Sequence, residues 1–266
     1  MVIDENASAK GKRRSDYYPA LYDGIPAGYY DAVYDRGEGI QWFWHYERYA
    51  AVVGFLPAVG ASILDLGCGP GTFLGNYAAA YDAGVGVDLA RPQIEYANSK
   101  YRSERLRFEA KDAVGFAGEQ QFEVVVSIEV IEHLPITETQ TFLKTIFDLL
   151  TPGGTVVLAT PNYSSLWPII EWFISKKGPV NYLEQHINRF TVARLEQELT
   201  KAGLVVVSRR TIFLVSPFLA CISTRLARWV YRAEQRLVPW LGSEIVISAR
   251  RPVLPDARNL PPRYKP

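Results

Sequence analysis

The chain has 266 residues, 48% of them hydrophobic and 21% charged, the balance of a globular protein with a buried core and neither a disordered chain nor a coiled coil. Its 29 basic and 28 acidic residues leave a formal charge of +1, so no overall field draws it to nucleic acid, and DNA is not an expected partner. Two cysteines, Cys68 and Cys221, are too few for a disulfide framework or a thiolate zinc site, which points to a reducing, cytoplasmic setting.

Residues 1–15 are polar and basic and lack an apolar h-region, so they read as a disordered leader rather than a secretory signal. Residues 16–50 are dense in Tyr and Trp, too apolar for a free tail, and read as a helical cap on the main domain. Its aromatics either close a core edge or face a substrate. From residue 51 to 251 short β-branched runs alternate with helical segments, the pattern of βαβ units and a parallel sheet. The runs are Ser62–Leu66, Gly84–Asp88, Leu106–Ala110, Phe122–Ser127, Thr155–Thr160, Leu204–Leu214 and Glu244–Arg250. Helices are expected over Arg91–Tyr101, Thr137–Leu150 (stopped by Thr151-Pro152-Gly153-Gly154) and Thr191–Ala202, with Gly203 just past its end. Residues 252–266 form a Pro- and Arg-rich tail.

The first strand runs into Asp65-Leu66-Gly67-Cys68-Gly69-Pro70-Gly71-Thr72. Its glycines remove side chains where a ligand must lie against backbone. Asp88 closes the second strand, 21 positions beyond Gly67, where a carboxylate takes both hydroxyls of a ribose. Asp112 follows the third strand, placed to accept from an adenine amine. A dinucleotide fingerprint requires Gly or Ala where this chain has Thr72. Asp65, just before the turn, repels a pyrophosphate but welcomes a cation. S-adenosylmethionine carries an amino group and a sulfonium and no phosphate, so it is the cofactor these residues prefer.

Further landmarks follow in order: Gly86-Val87-Asp88, Lys111-Asp112-Ala113, Ser127-Ile128-Glu129-Val130-Ile131-Glu132-His133-Leu134 and Leu150-Thr151-Pro152-Gly153-Gly154. Together, Ile63 to Asn162 resembles the class I S-adenosylmethionine-dependent methyltransferases. The resemblance implies an α/β, Rossmann-like, seven-stranded and mostly parallel sheet with an antiparallel last strand and helices on both faces. It implies that Asp65, Gly67, Cys68 and Gly69 meet the methionine moiety, Asp88 and Leu89 the ribose, Asp112 and Ala113 the adenine, and Ser127 and Ile128 the cofactor from the fourth strand. Arg48, in the cap, is placed to reach the methionine carboxylate or to lie on the surface.

Glu129, Glu132 and His133 follow the fourth strand, at the carboxyl edge where open α/β sheets bind ligands, and a helical turn there would set all three on one face. With His186, one of only three histidines, they offer two carboxylates and two imidazoles to a divalent ion such as Mg or Mn. The Glu-x-x-Glu-His segment with a distant His resembles the metal site of small-RNA 2′-O-methyltransferases, and in part the ubiquinone-pathway O-methyltransferases. Without an ion, His133 serves as general base, Glu129 and Glu132 as helix-start carboxylates and His186 as a local cap.

Residues 161–190 leave the fifth strand as an aromatic lid containing Leu166-Trp167-Pro168-Ile169-Ile170-Glu171-Trp172-Phe173-Ile174, which suits an apolar acceptor. Residues 216–240 hold an amphipathic helix with Leu219, Ile222, Leu226, Trp229, Ala233 and Leu237 on one face and Arg225, Arg228, Arg232 and Arg236 on another. Such a helix either packs its stripe on the domain or lies on anionic lipid. The expected function is methyl transfer to a hydroxyl of a small apolar, aromatic or lipid-linked acceptor, with peripheral membrane contact. The alternatives are RNA 2′-O-methylation, disfavoured by the charge balance, and a silent membrane-associated cofactor-binding protein.

Overall fold

The strands form where β-branched runs are long enough to be covered on both faces. In the computed structural model, which describes residues 25–253 apart from 59, 119 and 178–181, they are β1 Gly60–Leu66, β2 Tyr81–Asp88, β3 Leu106–Ala110, β4 Phe122–Ile128, β5 Leu150–Pro161, β6 Val205–Ile212 and β7 Glu244–Arg250. They pair as one seven-stranded sheet in the order β3-β2-β1-β4-β5-β7-β6, and β7 alone runs against its neighbours. The expected leader, residues 16–24 of the expected cap and the tail from residue 254 lie outside the described residues.

The helices are α1 Tyr29–Asp35, α2 Gly39–Val53, α3 Thr72–Tyr77, α4 Arg91–Tyr101, α5 Ile136–Leu149, α6 Trp167–Lys177, α7 Tyr182–Gln185, α8 Val192–Lys201, α9 Ser216–Leu219 and α10 Thr224–Leu237. Successive strand residues face opposite layers. Leu64, Leu66 and Val125 pack with Phe142, Ile146, Leu195 and Leu199, while Ile63, Val124 and Val126 pack with Phe43, Val52, Phe73 and Ile94. Both faces are covered, as an open parallel sheet requires. The strand order reverses between β1 and β4, the switch point where diverging crossovers leave a crevice at the carboxyl edge. Among the described residues no helix is long and apolar enough to cross a membrane.

Two boundaries differ from the sequence pattern. Thr151-Pro152-Gly153-Gly154 lies inside β5 rather than in a connecting turn, because the β4–β5 pairing shifts register between Phe122 and Val124 and absorbs those residues as an irregular first half of the strand. The expected Leu204–Leu214 strand is shorter at both ends, and Phe213 turns out at φ 66°. The expected Thr191–Ala202 helix runs from Val192 to Lys201, with Thr191 as its N-cap, its hydroxyl accepting from Arg194 N at 3.3 Å.

The N-terminal helices are fastened by buried charge. Asp31 of α1 is fully buried and accepts from Tyr96 Oη (2.7 Å), Tyr101 Oη (2.6 Å) and Lys100 Nζ (2.5 Å), all on α4. On α2, Arg48 is buried with Nη2 3.3 Å from Glu129 and Nε 2.6 Å from Glu244, joining the cap to the end of β4 and the start of β7. An Asp31→Ala substitution strands two tyrosine hydroxyls and loosens α1. It should cost about 2–4 kcal/mol of unfolding free energy, read by urea titration of the purified chain.

Candidate active site

β1 leaves the sheet through Gly67, whose φ is +84° and where a Cβ would sit 2.2 Å from Val130 Cγ2, so no side chain fits between this loop and the exit of β4. The amides of Gly67 and Cys68 both donate to Val87 O, at 2.7 and 3.0 Å, folding the loop over β2. Asp88 ends β2 buried, with Oδ2 accepting from Gly69 N and Oδ1 from Ala90 N, each at 2.8 Å. Its orientation is fixed, and each oxygen keeps a second acceptor position.

A cavity of about 550 Å³ opens over this edge. Its polar end is walled by Asp65, Gly67, Cys68, Gly69, Asp88 and Leu89, and then by Asp112, Ala113 and Val114. Ile128, Glu129, His133 and His186 line the same cavity, as do Ile170, Ile174, Tyr182 and Phe218. Tyr29, Tyr30, Trp44, His45, Arg48 and Tyr49 of the N-terminal helices roof it. The sequence-predicted cofactor residues therefore converge, with one exception. Ser127 does not line the cavity, because it is buried in β4 and its hydroxyl donates to Leu66 O at 2.8 Å. Arg48 lies on the wall as expected but already holds two carboxylates.

Asp65 is 2% exposed. Burial, reinforced by the charge of Asp88, pushes its carboxyl up to about 8 from 3.8. No hydrogen bond from a described residue offsets that burial, so an ionised Asp65 calls for a cation in the crevice.

The Glu/His segment does not form the expected helical face. Glu129 takes φ 57°, which turns its carboxylate to Arg48, and only Ile131–His133 coil, as a single 3-10 turn. Burial pushes Glu129 up and Arg48 pulls it down, and the charges of Glu132, Glu244 and Glu171 leave the balance upward. The three side chains that do converge are Glu132, His133 and His186, with one potential ligand atom from each within 4.8 Å of the others. Glu129 is thus corrected from donor to partner of Arg48, since its backbone aims it elsewhere.

Glu132 is fully buried behind the cavity wall; Oε2 accepts from Thr160 Oγ1 at 2.9 Å, and Oε1 accepts no hydrogen bond from a described residue. His133 Nδ1 lies 3.1 Å from Gln185 O, and its Nε2 is 4.0 Å from Glu132 Oε1. Burial, helped by the adjacent His186, pushes His133 down to about 3, so the ring is neutral at neutral pH. His186 is buried with Nδ1 2.6 Å from Glu171 Oε1. A carboxylate on Nδ1 fixes the ring and leaves Nε2 as its acceptor, the support that imidazole metal ligands use.

Glu171 is the residue that sequence reasoning missed. It is 1% exposed on α6, and its carboxylate collects Tyr163 Oη (2.6 Å), Trp167 Nε1 (3.3 Å) and His186 Nδ1. Burial works to raise it, but those three hydrogen bonds, His186 foremost, hold it below the usual range. The available signal was a single acid inside an otherwise apolar lid helix, four positions after Trp167.

A family model described as a methyltransferase domain matches residues 43–209. Over 109 residues, 39% of each chain, the protein is 34% identical to O-methyltransferase cnsE of Penicillium expansum. Over 110 residues it is 33% identical to a ubiquinone biosynthesis O-methyltransferase of Ruegeria pomeroyi, covering 40% of this chain and 43% of that one. The chain thus spans about two fifths of the length of these relatives. A solved Thermotoga maritima structure, described as a S-adenosylmethionine-dependent methyltransferase and possible histamine N-methyltransferase, superposes with a TM-score of 0.61 at 16% identity, over 87% of this chain and 98% of that one. At that identity the likeness concerns the fold alone. The chain belongs to the methyltransferase-domain family and has the class I, Rossmann-like fold of S-adenosylmethionine-dependent methyltransferases.

The position of Asp65 sets a pH dependence. Because its folded-state carboxyl is raised from 3.8 to about 8, the empty native protein holds a proton that the unfolded chain has lost, and stability falls as pH rises through that window. Asp65→Asn removes this loss. Without cofactor, the variant should melt a few degrees above the parent at pH 8 and level with it near pH 4, measured by differential scanning fluorimetry.

Proposed function

We propose that the chain transfers the methyl group of S-adenosylmethionine to a hydroxyl oxygen of a small apolar, aromatic or lipid-linked acceptor. The observation that carries this reading is that one cavity is lined by an acidic, glycine-walled crevice, by apolar lid residues, and by His133 and His186 of the Glu/His cluster. In this reading the backbone at Gly67, Cys68 and Gly69 lies along the methionine moiety, and Asp65 faces its ammonium group. Asp88 accepts from the ribose hydroxyls, and Asp112 and Ala113 flank the adenine.

Methyl transfer forms a C–O bond as the C–S bond breaks, and the acceptor oxygen loses its proton. The protein must align the two reactants, keep water out and give the proton a destination. The aromatic roof and lid serve the first two tasks. Neutral His133, on the cavity wall, is the acceptor of the proton in this reading. Oxygen is favoured over nitrogen because a neutral amine needs no such base, and the O-methyl transfer named for the two relatives supports it.

In place of His133 acting as base, Glu132, His133 and His186 fit a divalent cation, since Glu132 Oε1 is a buried acceptor without a hydrogen bond from a described residue and His186 is oriented by Glu171. A bound ion would act there as a Lewis acid that lowers the pKa of the acceptor hydroxyl. Glu171 then works as a positioning residue, carrying the lid's placement to His186.

Turnover is read as S-adenosylhomocysteine formed with a panel of alkylated phenols and catechols. His133→Ala and His186→Ala should each lower kcat by about 10–100-fold while cofactor affinity, by calorimetry, stays within about twofold. Unchanged turnover in both variants overturns the assignment. For the ion, plasma mass spectrometry after dialysis against Mg, Mn or Zn should find about one metal per chain in the parent and none in the double variant. No retained metal and no loss of turnover on chelation would remove the cation from the scheme.

A further inference from the structure

Helix α10 faces its apolar residues Leu226, Trp229 and Leu237 outward, away from the domain. Its inner side is Ala227, Tyr231 and Glu234. The buried Glu234 carboxylate fixes the rotation: it accepts from Val215 N (2.8 Å), Ser216 N (2.9 Å) and Ser216 Oγ (2.6 Å). A half-turn that buried Trp229 would strand those donors and drag arginines inward, which the hydrogen-bonded carboxylate forbids. Trp229 is consequently 70% exposed, Leu237 71%, and Ile222 and Trp240 beside the helix 75% and 66%.

Alongside this apolar strip stand Arg225, Arg232 and Arg236, all exposed and none in an ion pair with a described residue. In a chain of net charge +1, three exposed arginines beside an exposed tryptophan form a local cationic and apolar face. From the same segment Phe218, 40% exposed, lines the cavity together with Ile170 and Ile174 of the lid helix. Lid residues Ile169, Trp172 and Phe173 are exposed too, with Lys176 Nζ 4.0 Å from the Trp172 ring centre.

We propose that α10 and its flanks, Phe218 to Trp240, dock on the interface of an anionic lipid bilayer, with Trp229 and Leu237 in the acyl boundary and Arg225, Arg232 and Arg236 at the headgroups. The occupant follows from chemistry. A protein groove would satisfy the apolar strip but leave three guanidinium groups needing dispersed anions, whereas a sheet of phosphates beside an apolar layer meets both. At 14 residues α10 is about 21 Å long, suited to lying in the interface rather than crossing it. Docking does not depend on the methyl-transfer reading; only delivery of a lipid-linked acceptor past Phe218 rests on it.

The test uses the full chain and flotation with vesicles of phosphatidylcholine alone or with 30% phosphatidylglycerol. Binding is expected on the anionic vesicles, weak on the neutral ones, and falling as salt rises. Trp229→Ser with Leu237→Ser, and separately Arg225→Gln with Arg232→Gln and Arg236→Gln, should each weaken anionic-vesicle binding, the arginine set by about 100-fold. Circular dichroism and cofactor affinity should stay unchanged, because these side chains are exposed. Absence of anionic-vesicle binding, or binding that neither set alters, overturns the proposal. So does a dimer in sedimentation that the Trp/Leu variant dissociates, which would assign the face to a second copy. Turnover is not read, so failed catalysis and failed docking remain separate results.

Discussion

The carboxyl edge of the sheet buries more carboxyl groups than the described residues pair with cations. Asp65, Asp88, Glu132, Glu171 and Glu244 are buried there, with Glu129 nearly so, and Arg48 is the guanidinium set among them. A carboxylate taken from water into such an interior without a partner costs several kcal/mol, far more than an ordinary hydrogen bond contributes. Most of the group is compensated. Asp88 has two backbone amides, Glu171 three side-chain donors, and Glu129 and Glu244 share Arg48. Oε1 of Glu129 lacks a donor among the described residues although its carboxylate pairs with Arg48; of the groups that Arg48 does not hold, two remain short of partners among the described residues: Asp65 at the crevice and Oε1 of Glu132 at the Glu/His cluster. One faces the crevice proposed for the cofactor's ammonium group and the other the cluster proposed for a divalent cation.

The rest of the architecture serves those two positions. Reversal of strand order between β1 and β4 opens the crevice, and the N-terminal helices close it because Arg48 and Asp31 fasten them to the sheet and to α4. The lid reaches the same place through Glu171, whose bond to His186 makes the lid helix part of the cluster. Thus the roof and the lid are each tied to the cavity by a buried ionisable group as well as by apolar packing.

The central sheet and the crevice were legible because each landmark is local. A β-branched run leads straight into a left-handed turn that favours glycine, and the acid closing the next strand follows 21 positions after Gly67. Ser127 lies in β4 with its hydroxyl donated to Leu66 O, away from the cavity lining. Long-range ion pairs were not legible. Nothing near Arg48 announces Glu244, almost 200 residues away, and nothing near His186 announces Glu171. Spacing alone put Glu129 with Glu132 and His133, and a single positive φ undid it. Periodicity found the apolar strip of α10 but could not tell which way it faces. That was decided by Glu234, a residue the hydrophobic pattern reads as outward.

The dependence of the crevice on a cationic ligand is tested most directly by calorimetric titration of S-adenosylmethionine into the parent and Asp65→Asn proteins at neutral pH. The uncompensated carboxylate requires at least tenfold weaker binding in the variant, a loss of about 1.4 kcal/mol or more. Equal affinities would mean that Asp65 meets no positive charge, and would contradict the placement of the cofactor.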